Sequence, residues 1–191
     1  QLLQELLPKG GPRRDVDAGR VGQSLCDRHD AALALGKLDR ALNYITIAEQ
    51  FFGPDQVPAE VLFRLASTHR QVADDVLSKA RASPEGSNNA ATPAIEASVR
   101  VQANDHFQRA GAYYARHANA QGSTPHSESD WMTSLCLSAD SYGRGGRQDL
   151  AIEQFRKYLD SRAVDDPRRP ETLFRIARSF HALLKYERAV L

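Results

Sequence analysis

The stretch that most restricts the fold is Ser134 to Leu159, S-L-C-L-S-A-D-S-Y-G-R-G-G-R-Q-D-L-A-I-E-Q-F-R-K-Y-L. Leu135, Ala139 and Tyr142 recur at helical spacing, Gly145 and Gly146 interrupt the pattern, and Ala151, Ile152, Phe155 and Leu159 restart it. The spacing predicts two short amphipathic helices joined by a tight glycine turn. Ala139 and Ala151 are small enough to let two backbones cross closely, with Tyr142 and Phe155 filling the space beside them. A pair this thin cannot bury both of its faces, so it must pile onto neighbouring pairs.

Other copies of the pattern run along the chain. Residues 1–18 read as the end of a preceding helix (Q-L-L-Q-E-L-L) and a Pro/Gly/Arg linker. Residues 19–55 form a first helix pair, with Leu25, His29, Ala32 and Leu33 on one stripe, Gly36 as a left-handed stop, and Ala41, Ile45 and Ala48 on the second helix. Gly53-Pro54-Asp55 closes this pair. Residues 58–119 form an elongated pair. Its first helix carries an apolar stripe past Val72 and Val76 to about Ala82, and a loop of turn formers spans 83–92. Thr92-Pro93 then opens a helix with Ile95, Val99, Ala103, Phe107, Ala110 and Tyr114 on one stripe. Helices of about 25 residues would be ~37 Å long, against ~21 Å for an ordinary 14-residue repeat helix. The surplus should project as a hairpin, zipped by Val72, Val76 and Leu77 against Ile95 and Val99. Residues 129–162, opened by a capping pair at Ser127 and Asp130, and residues 169–191 supply a third pair and a truncated fourth.

The copies themselves pair up. Ser24-Leu25-Cys26, Asp30, Gly36 and Ala41 match Ser134-Leu135-Cys136, Asp140, Gly146 and Ala151 at an offset of 110. Glu60, Leu62, Phe63, Arg64, Leu65 and Ala66 match Glu171, Leu173, Phe174, Arg175, Ile176 and Ala177 at an offset of 111. The duplicated unit is therefore two helix pairs, and both chain ends read as cuts through a longer array.

Composition excludes several classes. Net charge is +1, with 20 Arg and 5 Lys interleaved among 24 acids, so no general attraction to nucleic acid or anionic lipid is implied. Mean hydropathy is −0.50, and no run approaches the ~18–20 apolar residues of a spanning helix. Cys26 and Cys136 belong to separate pairs and are expected to stay unbridged, which leaves the compartment open.

No motif for chemistry emerges. Histidines at 29, 69, 106, 117, 126 and 181 make neither H-x-x-x-H nor H-E-x-x-H, and His106 and His117 share a helix face but lie about 16 Å apart. Gly143-Arg144-Gly145-Gly146-Arg147 lacks the Lys-Ser/Thr of a phosphate loop and follows no strand. No signature marks a nucleophile with its base. Neither metal, cofactor nor catalysis is expected.

On the residues of 134–159, 25–52 and 171–191, the chain resembles the tetratricopeptide repeat family. The resemblance implies an all-α fold, a right-handed superhelical solenoid of antiparallel helix pairs, and work as a protein-interaction scaffold. The first helices of such pairs line a concave groove. By position, the groove would comprise Gln23, Cys26 and Asp30; Glu60, Phe63, Arg64, Ser67 and Arg70; Thr133, Cys136, Asp140 and Arg144; and Glu171, Phe174, Arg175, Arg178 and His181. The Lys and Asn set with which some members clamp a terminal carboxylate is missing, since Cys26 and Asp30 stand there. Glu60–Arg64 and Glu171–Arg175 also fit plain surface ion pairs of ~0.3–0.5 kcal/mol. Phe63 and Phe174 either pack on the next repeat or stand out as anchors. The expected partner is a protein or peptide, held in the groove or by the hairpin. RNA binding and self-association through the hairpin are the alternatives.

Overall fold

The computed structural model describes residues 17–52, 56–82, 96–121, 128–162 and 164–189. Seven α-helices and no strand occur among them: α1 Ala18–Ala34, α2 Leu38–Gln50, α3 Ala59–Ala82, α4 Ala97–Gln121, α5 Glu128–Arg144, α6 Gln148–Asp160 and α7 Arg169–Ala182, followed by a 3₁₀ turn, Tyr186–Arg188. The fold is all-α. No helix among the described residues is long and apolar enough to cross a membrane. The expected features at 1–16, 53–55, 83–95, Ser127, Val190 and Leu191 lie outside the described residues.

Local chemistry sets the helix ends. Asp17 caps α1 by accepting the Arg20 N–H at 3.2 Å, and Pro170 sits in the first turn of α7, where its missing N–H costs nothing. Three junctions share one geometry. At the end of α1, Gly36 N–H donates to Leu33 and Lys37 N–H to Ala32. At the end of α5, Gly146 donates to Gly143 and Arg147 to Tyr142; after α7, Leu184 donates to His181 and Lys185 to Phe180. These are Schellman caps, which require a left-handed residue. Gly36 (φ 67°) and Gly146 (φ 79°) provide it without strain, whereas Leu184 (φ 59°) adopts it against its own Cβ.

Ala73, which the 111-residue offset aligns with Leu184, is fully buried in the middle of α3. There the helix continues instead of turning, which is why α3 and α4 reach 24 and 25 residues. The two run antiparallel, so contacting residues keep a nearly constant sum of numbers: Phe63 meets Tyr114, His69 meets His106, and Ala73 shares a cluster with Ala103 and Phe107. Val76 and Leu77 pack against that cluster, as the expected zip requires on its α3 side. Beyond it, no residue of 74–82 or 96–102 is buried.

The apolar core comes as four small clusters, each shared by helices consecutive in the chain: α1 to α4, α3 with α4, α4 to α6, and α5 to α7. Ala41, Ile45 and Ala48, and likewise Ala151, Phe155 and Tyr158, are buried as their spacing predicts. Where α4 crosses α5, a Cβ on Gly111 would lie 2.7 Å from the Tyr142 ring, so only glycine admits that approach. The Ser138 hydroxyl closes the same crossing by donating to the Gly111 carbonyl at 2.7 Å.

Candidate partner-binding face

The odd-numbered helices α1, α3, α5 and α7 are linked to one another by charged side chains. From α3, Arg64 donates to Asp30 on α1 through Nε (3.1 Å) and Nη2 (3.0 Å), while its Nη1 reaches Glu60 at 3.2 Å. The Arg64 hydrogen bonds hold the Asp30 carboxyl below its ordinary pKa. Further along α3, Arg70 Nη2 donates to Asp140 on α5 at 2.8 Å, and Asp74 pairs with Arg144. On α7, Arg175 donates to Glu171 at 2.6 Å and stands 3.9 Å from Asp140. The Arg144 guanidinium also lies 4.0 Å above the Phe107 ring. Every rung is at least partly exposed, so each contributes only ~0–1 kcal/mol.

Two clefts open along this set. One, of about 490 Å³, is bounded by Glu60, Phe63 and Arg64 of α3, His117 of α4, and Asp130 and Thr133 of α5. The other, of about 610 Å³, lies between α5, α6 and α7 and is floored by Ala139, Gly143, Ala151 and Phe155. Asp140, Arg144, Glu171, Phe174, Arg175 and Arg178 form its walls.

The expected groove residues therefore divide. Asp30, Glu60, Phe63 and Arg64 gather at the first cleft, and Asp140, Arg144, Glu171, Phe174, Arg175 and Arg178 at the second. Arg70 bridges to the second through Asp140. Ser67 donates to the Arg64 carbonyl within its own helix. Exposed His181 meets the Tyr186 ring edge-on at 5.1 Å. Cys26 is only 1% exposed and belongs to the core, so it presents nothing to a ligand. Cys136 is half-buried; both thiols are free, and burial pushes both pKa values up, away from nucleophilic thiolate. The two phenylalanines separate as well. Phe63 is 38% exposed and leans edge-on to Tyr114 (5.6 Å) and tilted on His117 (5.3 Å), whereas Phe174 is 62% exposed with no ring partner among the described residues.

Three buried histidines, His29, His69 and His117, and half-buried His106 link the helix seams; of their partners, none was expected. His29 bonds Asp30 through Nδ1 and Thr68 through Nε2, both at 2.8 Å. His69 and His106 meet Nδ1 to Nδ1 at 2.9 Å, with His69 stacked on Tyr113. His117 Nδ1 meets Ser134 Oγ at 2.7 Å. Burial lowers the pKa of all four, His69 to about 4. At neutral pH they act as hydrogen-bonding links without charge. Among the described residues, no group of three or more His, Cys, Asp or Glu is placed to hold a metal ion. The antiparallel register of α3 and α4 was the signal that would have paired His69 with His106.

No protein-family model matches the chain, and no curated protein matches it either. Function has to be argued from the face itself.

Proposed function

We propose that the chain is a segment of a tetratricopeptide-like, right-handed superhelical solenoid that works as a protein-interaction scaffold, holding a partner's peptide or helix along its odd-numbered helices without catalysis. Core clusters shared only by chain neighbours, and one Schellman junction used three times, favour repeat stacking over a single closed core. The observation that carries the binding role is Phe174, a large aromatic 62% exposed on the wall of a 610 Å³ cleft with charged residues around it. An exposed aromatic amid a polar rim has the make-up of an interface anchor. Most arginines of this face are already bonded to carboxylates, which weakens their hold on phosphate and argues against the RNA alternative.

Panning random peptides displayed on phage against the chain tests the reading. Scaffold function predicts enriched peptides that are lost when Phe63, Phe174 and the rung arginines are replaced together by alanine. If no peptide is enriched, the reading fails.

A further inference from the structure

The two clefts contain the same motif twice, and the copies differ in a directed way. Glu60, Phe63 and Arg64 of α3 correspond to Glu171, Phe174 and Arg175 of α7, and Asp30 of α1 corresponds to Asp140 of α5. In the first copy, Arg64 grips Asp30 with two hydrogen bonds at 3.0 and 3.1 Å. In the second, Arg70 takes Asp140 at 2.8 Å, and Arg175 is left 3.9 Å away.

The space behind the motif changes too. His29 and Thr68, bonded to each other and 1% and 0% exposed, fill the seam between α1 and α3 beside the first copy. Their counterparts at the same offsets are Ala139 and Ser179, and Leu33 is replaced by Gly143. All three smaller residues line the 610 Å³ cleft, where the larger counterparts would take up part of the space.

Charge follows the same division. Around the first motif, Arg64 faces three carboxylates, Asp30, Glu60 and Asp130, leaving the site acidic. Around the second, Arg70, Arg144 and Arg175 balance Asp140, Asp74 and Glu171, and Arg178 is left over. Arg178 corresponds to Ser67 of the first copy and makes no ion pair among the described residues. It sits one helical turn beyond Phe174 on the same wall, so one ligand could touch both.

We propose that the cleft between α5, α6 and α7 is the docking site for a partner-protein segment that carries a carboxylate beside a large apolar side chain, and that the first copy of the motif is closed to it. The carboxylate pairs with Arg178, which makes no ion pair among the described residues, while Arg175 stays on Glu171. The apolar group lies against Phe174, over the floor that Ala139 and Gly143 leave open. Such docking presupposes the scaffold function proposed above and narrows it to one cleft and one ligand chemistry.

The probe is a fluorescein-labelled peptide, Gly-Glu-Leu-Phe-Glu-Glu-Gly, with counterparts bearing Gln or Lys in place of Glu. The Glu probe should bind at least about tenfold more tightly than the Gln probe, and the Lys probe should not bind. Phe174→Ala, Arg178→Glu and Gly143→Leu should each weaken the Glu probe at least about tenfold, while Phe63→Ala stays within about twofold. Gly143→Leu is the filling variant. Its Cβ would meet only Gln148 Oε1 at 3.6 Å and Ala151 Cβ at 3.9 Å, so the protein should fold with unchanged helical circular dichroism while the cleft closes. Equal binding of the Lys probe, loss on Phe63→Ala but not on Phe174→Ala, or displacement of the Glu probe by oligouridylate overturns the docking site. Should phage peptides be enriched and survive Phe174→Ala, docking at this cleft fails while the scaffold function stands. With no peptide enriched at all, both fail.

Discussion

The half of the molecule formed by α1 to α4 and the half formed by α5 to α7 bury their polar groups by different means. In the first, imidazoles stitch one helix to another: His29 to Thr68, His69 to His106, and His117 across to Ser134 on α5. In the second, hydroxyls turn back onto carbonyls of their own helix, Ser141 onto Leu137 and Thr172 onto Arg168, and the only described histidine, His181, is exposed. An imidazole titrates near neutrality, whereas a hydroxyl does not. The first half is therefore acid-sensitive through its buried imidazoles. At matched positions, His29 in the first stretch stands against Ala139 in the second.

The largest test of this contrast concerns the first half. Phe107, 1% exposed between α3 and α4 and covered by Arg144, ties the long pair together. Phe107→Ala should cost about 3–5 kcal/mol in urea denaturation. A loss below about 1 kcal/mol would mean that the hairpin is not a packed unit.

Acid comes next. A histidine whose pKa is lowered by folding stays neutral while the unfolded chain takes up a proton, so stability is full above the unfolded value of 6.5. It falls as pH drops toward the folded value, about 4 for His69, a loss of up to about 3 kcal/mol from that group. Helical circular dichroism should fall before the emission of Trp131, the single tryptophan, which packs in the cluster of α4, α5 and α6. His69→Gln should flatten the slope. Coincident transitions at both signals, or a flat profile from pH 6.5 to 4, would remove the contrast.

Smaller effects sit at the junctions. Leu184→Gly relieves a left-handed leucine and should stabilise by about 0.5–1 kcal/mol, whereas Gly146→Ala should destabilise by about 1 kcal/mol, both read by thermal unfolding. Equal responses of the two sites would show that the junctions are not equivalent. The smallest expected change is Phe174→Ala, within about 0.5 kcal/mol, beside about 1 kcal/mol for Phe63→Ala, whose ring rests on Tyr114 and His117. Reversed magnitudes would exchange the roles of core and anchor.

Much of this was legible in the residues. Periodicity placed the helices, Gly36 and Gly146 marked two of the turns, and the unbroken stripe through Val72 and Val76 foretold helices of nearly 25 residues. The surface pairs Glu60–Arg64 and Glu171–Arg175 also followed from spacing alone. The left-handed geometry of the third junction, though not its place at Leu184, was hidden because leucine stands where glycine would have flagged it. The histidine pair was hidden because one-helix spacing says nothing about a neighbour 37 residues away. The open cleft is a matter of what is missing: the offsets that matched Asp30 with Asp140 also set His29 against Ala139 and Leu33 against Gly143, and only comparing volumes at those places exposes it.

Past Ala73, α3 runs on for a further stretch, to Ala82, with no buried residue along it. At 1.5 Å per residue this is an arm of ~13 Å, whose outer end swings ~2 Å for a ten-degree tilt at its root. Arg70 and Asp74, at that root, are also the two residues by which α3 grips Asp140 and Arg144. The root of the long helix pair and the rim of the second cleft are thus tied together by two ion pairs.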